Sequence, residues 1–397
     1  MKKELVLVLD IDPSGGGTFQ YALSLLRAVC SADFDHFRVN IIYYQEKWKK
    51  YILSLNNAER IQSFSVDHNL REKLVRKLFR SDCLVQFLRY LSRYLIPHGK
   101  ILDKINPELV IYPSQRPYSY EVPGPNLVAI HDLMHKYESR FPEIGSRRAY
   151  RWREFKYRNI CKYSEGILVD SELGKCHVKE NYSPHPAIYS LPFSVPPYLE
   201  KDKYRRNFSK NYDFTNEKYF FYPAQFWEHK NHVGLIKAFA KLAPKYPDLD
   251  LVLVGSKKNA YDKVKRLIHN LDIDNRINIL GYVDNEKMVG LYKNALALVF
   301  ASFCGPTNIP PIEAWYLGCP VAMADVYAAR DYAEGAAIFF DPEDPDSISE
   351  AMETLIEKPN LRETLVEKGK EIADNRRQES LNRRLLEIVK EVLNKKD

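Results

Sequence analysis

The sequence predicts an α/β protein made of two doubly wound parallel-sheet units, each Rossmann-like, joined by a linker. Three observations carry this. Short apolar runs alternate with segments of helical periodicity, the alternation starts afresh near residue 219, and five prolines (Pro184, Pro186, Pro192, Pro196, Pro197) separate the two series. A length of 397 residues suits two or three domains at roughly 100–200 residues each.

In order along the chain, Leu5 to Leu9 is an unbroken apolar run, as expected of a strand buried on both faces. Gly15-Gly16-Gly17 turns the chain into a helix through Phe19, Ala22, Leu23, Leu26 and Val29. Val39–Tyr44 reads as the next strand, Ser92–Ile105 as a helix, and Leu109–Tyr112 and Leu127–Ile130 as strands. Ile167–Val169 is a strand that runs into an N-cap at Asp170-Ser171. The proline-rich stretch 183–202 suits an interdomain linker.

The second series has strands at Phe220–Tyr222, Leu249–Val254, Ile277–Leu280, Ala297–Phe300 and Pro320–Met323. Helices fall at Val233–Leu242, from Met288 to Ala295 and at Pro311–Leu317. Residues 348–396 are helical with one apolar stripe. The domains expected are 1–198, 199–378 and a final helix, 379–397, that packs back on the first domain. Ligands of such folds bind at the carboxyl ends of the strands, so a cleft between the two units is the expected site.

Composition excludes several classes. No run of 18 apolar residues is long enough for a membrane-spanning helix. The apolar N-terminal stretch is interrupted by Glu4 and Asp10 and reads as a strand, not a signal peptide. Six scattered cysteines without a C-x-x-C pair argue against a zinc site or disulfide scaffold and for a reducing cytoplasm. No Asp-x-Asp motif sits at a strand end, so no metal is expected.

The net charge of +7 is local. Residues 69–100 hold eight basic and two acidic side chains, residues 147–162 seven and one. In the first stretch Arg71, Lys73, Arg76, Lys77, Arg80, Arg89 and Arg93 interleave with Leu74, Leu78, Phe79, Leu84, Phe87, Leu88, Tyr90 and Leu91. Such a basic amphipathic pattern suits an anionic membrane surface, an ordinary solvated helix being the alternative. No nucleic-acid motif accompanies the charge.

Four segments at strand ends carry the candidate chemistry. After Phe300 the chain runs through Gly305-Pro306 into a helix with Pro310 near its start and Gly318 at its stop. Free N–H groups at Thr307, Asn308 and Ile309 would make an anion site for a diphosphate. Glu313, one turn in, would hold a ribose diol or merely complement the helix dipole. Lys230, in the run from Gln225 to His232, would meet a phosphate as a point charge. Gly16 and Gly17 allow a backbone to approach a ligand closely, and His131 follows a strand in the first unit.

At these residues the chain resembles family-4 retaining glycosyltransferases of the GT-B fold, with two Rossmann-like domains facing a central cleft. The run Gly-Pro-Thr-Asn-Ile-Pro-Pro-Ile-Glu-Ala (305–314), then Gly-Cys-Pro-Val (318–321), and Gln-Phe-Trp-Glu-His-Lys-Asn-His (225–232) carry the resemblance. It implies that Glu313 is the second glutamate of an E-x7-E motif that holds the ribose, and that Lys230 neutralises the donor diphosphate. Gly16 and Gly17 would lie near the donor phosphates and acceptor, and His131 near the transferred sugar. Gly281, Tyr282 and Val283 would read the base, with Gln225 and Gly255 also lining the donor site.

Two positions depart from the family's pattern. The first glutamate of E-x7-E is Gly305, and the arginine expected five residues before Lys230 is Gln225. Both departures resemble a bacterial polysaccharide subgroup. The expected activity is transfer of a sugar from a GDP- or UDP-linked donor to a saccharide or lipid-linked saccharide acceptor, in the cytoplasm at the inner face of the membrane. A catalytically silent GT-B-like scaffold and a sugar-nucleotide epimerase are the alternatives.

Overall fold

The computed structural model describes residues 2–13, 16–55, 61–66, 75, 77–79, 82–184, 186–200, 216, 218–305 and 308–395. Two compact units result: Met1–His135 with Arg147–Ser194 and Gln378–Asp397, and Lys136–Ser146 with Val195–Arg377. Residues 136–146 thus lie amid first-unit elements in sequence and cluster with the second.

Among the described residues, unit 1 has strands β1 (Lys3–Leu9), β2 (Phe37–Tyr43), β3 (Gln62–Ser65), β4 (Leu109–Tyr112), β5 (Asn126–Ala129), β6 (Gly166–Val169) and β7 (Ala187–Ser190). They pair in parallel in the order β3-β2-β1-β4-β5-β6-β7, with Leu5 opposite Val39 and Leu109. Parallel sheets covered on both faces need strands that are apolar throughout, and β4, β5 and β6 are buried along their full length. One core cluster gathers alternate residues of these strands (Val6, Val8, Val110, Val128, Ile167) with Val85, Leu88, Phe155 and Ile160 of covering helices. The helix Gly16–Val29 packs against the last helix, Gln378–Asn394, where the Gln378 amide donates to the Ser24 carbonyl at 2.9 Å.

Three local departures from the sequence expectations have physical reasons. The expected helix 92–105 is two helices, Asp82–Leu95 and Pro97–Ile105. Ile96 precedes a proline, which disfavours helical backbone, and it is extended at φ −105° and ψ 129°. The stretch read as a linker begins with a strand, since β7 extends β6 at the sheet edge just after Pro186. The C-terminal helical run divides into Pro345–Glu357, Pro359–Asn375 and Gln378–Asn394, the first break again falling before a proline.

Unit 2 repeats the design with β8 (Lys218–Pro223), β9 (Leu249–Val254), β10 (Ile277–Ile279), β11 (Ala297–Phe300), β12 (Val321–Ala324) and β13 (Ile338–Phe340). Their parallel order is β10-β9-β8-β11-β12-β13. In both sheets the first strand of the unit is flanked by its second and fourth, so the strand order reverses between β1 and β4 and between β8 and β11. Loops leaving the carboxyl ends at such a reversal diverge to opposite faces and open a crevice. The fold therefore singles out the loops after β8 and β11.

Candidate functional site

In unit 2, the loop after β8 carries Gln225 and Lys230, and that after β11 carries Ser302 to Asn308. The Lys230 ammonium donates to Ser302 Oγ at 3.3 Å and lies 5.7 Å from the centre of the Phe300 ring. The Phe303 amide donates to the His229 carbonyl at 2.9 Å, and Tyr222 OH to the Lys230 carbonyl at 2.6 Å. The two loops are thus stitched together with a half-buried ammonium between them.

Asn231 sets the end of the lysine turn. It takes a left-handed backbone (φ 54°), and its side-chain oxygen accepts from Gly234 N at 3.1 Å, capping the helix His232–Leu242. His232 opens that helix buried, stacked on Phe226 at 4.3 Å, and its imidazole is pushed down to about 3 by burial. It is neutral at physiological pH and adds no charge.

Gly255, after β9, is held by close approach: a Cβ there would stand 2.1 Å from the Ala224 carbonyl oxygen. Its amide donates to Gly281 O at 2.9 Å, and the Phe226 amide donates to Ser256 O at 3.1 Å. These bonds bind the loops after β8, β9 and β10 into one rim. Tyr282 stands on that rim 87% exposed, with Val283 buried beside it. Gln225 is exposed and its side-chain oxygen accepts from the Trp227 indole at 2.9 Å.

The helix Ile309–Leu317 begins at Asn308, with Pro310 and Pro311 in its first turn. Prolines lack an N–H, so the described donors at this end are the amides of Asn308 and Ile309. Thr307 lies outside the described residues. Gly305 has φ +107°, a backbone that side-chain-bearing residues rarely adopt. The loop path is accordingly one that a glutamate at this position would strain.

Glu313 sits one turn into the helix, buried. Its Oε1 accepts from Tyr198 OH at 2.8 Å and its Oε2 from Tyr292 OH at 2.7 Å. Burial raises its carboxyl above the usual range, and the two phenols pull it back down. Each oxygen keeps one lone pair beyond these bonds.

A group that sequence reasoning missed adjoins this site. Glu143, from segment 136–146, accepts at Oε1 from His229 Nδ1 (2.7 Å) and from the His229 amide (3.0 Å). Its Oε2 accepts from Asn259 Nδ2 at 2.7 Å. Glu143 is some ninety residues from His229 in the chain, and no local pattern signals it. Ser302 was more legible, as the first hydroxyl after a buried strand.

In unit 1, His131 follows β5. Its Nε2 lies 2.9 Å from the Pro113 carbonyl, which can only accept, so Nε2 carries the proton. Burial lowers its pKa, and Tyr21 and Phe193 pack on the ring. Gly16 (φ +60°) and Gly17 open the first helix, exposed. Ser114, after β4, donates to buried Asp10, after β1, at 3.0 Å, closing the reversal of this sheet. Among the described residues no group of three or more His, Cys, Asp or Glu side chains could hold a metal.

Residues 204–372, most of unit 2, match the family "Glycosyl transferases group 1". The O-antigen chain mannosyltransferase RfbU of Salmonella typhimurium is 26% identical over 144 residues, 36% of this chain and 40% of the relative. The matched stretch therefore spans about two fifths of that curated relative. A glycosyltransferase from Rickettsia africae superposes with a TM-score of 0.69 at 16% identity, covering 99% of both chains. HepE of Anabaena, solved with UDP, gives 0.69 at 14% identity over 98% of this chain and all of the other. The fold is GT-B, and within it residues 204–372 are similar to the glycosyl transferases group 1 family.

Proposed function

We propose that the chain is a retaining glycosyltransferase that moves a sugar from a GDP- or UDP-linked donor to a saccharide or lipid-linked saccharide acceptor in surface polysaccharide synthesis. The observation that carries this reading is Lys230 bridging the loops after β8 and β11, at the strand-order reversal of the unit similar to the glycosyl transferases group 1 family. HepE, of the same fold, binds UDP, and the relative RfbU is a mannosyltransferase of O-antigen chains.

The difficult event is departure of a diphosphate while positive charge grows at the anomeric carbon. Fixed donors aimed at the developing charge are usually the largest catalytic contribution. In this reading the Lys230 ammonium and the amides of Asn308 and Ile309 meet the diphosphate. Glu313, with one lone pair spare on each oxygen, accepts from the ribose, and exposed Tyr282 offers a ring face to the base. In unit 1, neutral His131 and the Gly16-Gly17 turn serve the sugar and acceptor side. The retaining course needs no carboxylate nucleophile if the leaving phosphate takes the acceptor's proton.

Location at the cytoplasmic face of a membrane belongs to the same proposal. On the helix Asp82–Leu95, Val85, Leu88 and Ser92 are buried, while Leu84, Phe87 (62% exposed), Tyr90 (72%) and Tyr94 (64%) form an outward stripe. Arg147, Arg148, Arg151 and Arg158 are exposed on the helix Arg147–Tyr163. Exposed aromatic rings on one helix and exposed basic groups on another suit peripheral attachment to anionic lipid. Of the basic stretch, Arg71, Lys73, Leu74, Arg76 and Arg80 lie outside the described residues. Among the described residues no helix is long and apolar enough to cross a membrane.

A screen of nucleotide sugars with saccharide acceptors, followed by NMR of the product's anomeric centre, tests the proposal. Transfer with the donor's anomeric configuration kept is expected. Inversion contradicts the retaining course, and nucleotide binding without transfer favours the scaffold reading that Gln225 and Gly305 suggest.

A further inference from the structure

The helix Arg147–Tyr163 of unit 1 divides its cations between two faces. Arg147, Arg148, Arg151 and Arg158 are exposed, whereas Arg153 and Lys156 are half-buried. Side chains three apart in a helix are neighbours on one face. Here that face meets the carboxyl ends of β4 and β5. Tyr157, next after Lys156, hydrogen-bonds the Gln115 side chain, and Gln115 Oε1 accepts from the His131 amide at 3.4 Å. The same helix packs against the short helix Tyr118–Glu121, which Arg116 precedes by two residues. Arg116 thus comes from the loop after β4, Asp132 from the loop after β5, and Arg153 and Lys156 from the covering helix.

These four groups feel one another across the loops. Burial pushes the Lys156 ammonium down to about 8, Arg153 and Arg116 push it the same way, and Asp132 acts against them. Among the described residues none of the three cations is in an ion pair. Glu154, between two of them on the helix, accepts instead from His135 Nε2 at 2.7 Å and from Tyr182 OH at 2.6 Å. Asp132 Oδ1 accepts from the Met134 amide at 3.0 Å. Three cations therefore face one carboxylate, and neutral His131 adds no charge. Like charges gathered in a half-buried place repel, and such a local conflict is characteristic of functional sites, where a ligand of opposite sign relieves it.

We propose that Arg116, Arg153 and Lys156 form a subsite for a phosphate or diphosphate group carried by the acceptor, so that the acceptor is a phosphorylated molecule and not a neutral saccharide. This rests on the reading that unit 1 serves the acceptor side. The donor set fits the chemistry: two guanidinium forks match phosphate oxygens bidentately, and the ammonium adds a point charge. The charge fits as well. Three cations and one carboxylate leave two positive charges, and a phosphate monoester carries about −1.5 to −2 at neutral pH. The exposed arginines of the same helix face outward and remain available to a lipid surface.

The test titrates the full chain with inorganic diphosphate by calorimetry. Lys230→Ala is the background, so that the proposed donor site does not compete. Arg153→Gln and Lys156→Met should each weaken binding about tenfold, the equivalent of one charge-assisted hydrogen bond. Farnesyl diphosphate distinguishes the sources of the group. Tighter binding than inorganic diphosphate, weakened by the same substitutions, assigns a lipid-borne diphosphate, and equal binding assigns a soluble phosphorylated acceptor. Because Lys156→Met removes a like-charge contact, its Tm should stand at or above that of wild type.

Unchanged diphosphate binding in both variants, or none in the Lys230→Ala background, overturns the inference. So does a Tm lowered by about 5 °C or more in Lys156→Met, which would mark a structural role. Loss of co-sedimentation with phosphatidylglycerol vesicles in these variants, with diphosphate binding intact, assigns the cluster to the membrane and overturns it too. All of these leave the glycosyltransferase reading standing. Absence of transfer with every nucleotide sugar screened, while diphosphate still binds at the cluster, overturns that reading and with it the acceptor role.

Discussion

Removing one phenol from Glu313 probes how the Pro-rich helix is anchored. Tyr292 and Glu313 are both buried and are joined by a 2.7 Å hydrogen bond. In Tyr292→Phe, Oε2 loses its donor with little change of volume. A hydrogen bond to a charged group contributes about 1.5–3 kcal/mol, so the variant should be less stable by about 2 kcal/mol at neutral pH. For a unit of this size that corresponds to a loss of about 4–8 °C in Tm.

The pH dependence follows from the sign of the shift. Burial raises the Glu313 carboxyl in the folded state, and the phenols partly restore it. An acid with a raised folded pKa has its full stability below its unfolded value, about 4.3, and loses it as pH rises through the folded value. Without Tyr292 the folded value climbs further. The deficit should therefore be smallest near pH 4 and grow toward neutrality. Urea unfolding of wild type and Tyr292→Phe at a series of pH values measures it. A deficit below about 0.5 kcal/mol at pH 7, or one that does not vary with pH, refutes the reasoning.

Other perturbations follow from the same contacts. Gly255→Ala forces a Cβ against the Ala224 carbonyl, and its unfolding midpoint should report a loss of about 3 kcal/mol. Replacing Phe87 and Tyr90 together by serine should weaken co-sedimentation with anionic vesicles by about tenfold or more while leaving thermal unfolding unchanged. Binding of wild type to those vesicles should also fall steeply with salt, and indifference to both contradicts the membrane face. Glu313→Ala and Lys230→Ala should each lower transfer by about 10²-fold in a donor-turnover assay, provided circular dichroism shows them folded.

Much of the architecture was legible because buried parallel strands must be apolar throughout. Leu109–Tyr112, Leu249–Val254 and Ala297–Phe300 are strands with the bounds their composition suggested. The place of the loop that holds Lys230 was legible because it follows the unit's first strand, and the strand-order reversal lies there in the structure. Edge elements were harder. β3 is exposed at three of its four residues and largely polar, and β7 hides among prolines, so neither shows a long apolar run. The partners of Glu313 and His229 were not legible at all. Tyr198, Tyr292 and Glu143 reach them across 115, 21 and 86 positions, and only the packed fold brings such groups together.

A crystal soaked with UDP or GDP tests the central claim most directly. Density for the two phosphates within hydrogen-bonding distance of Lys230 Nζ and of the Asn308 and Ile309 amides is the predicted result. A nucleotide seated away from the β8 and β11 loops, or those two amides directed into the unit's interior, would contradict the account.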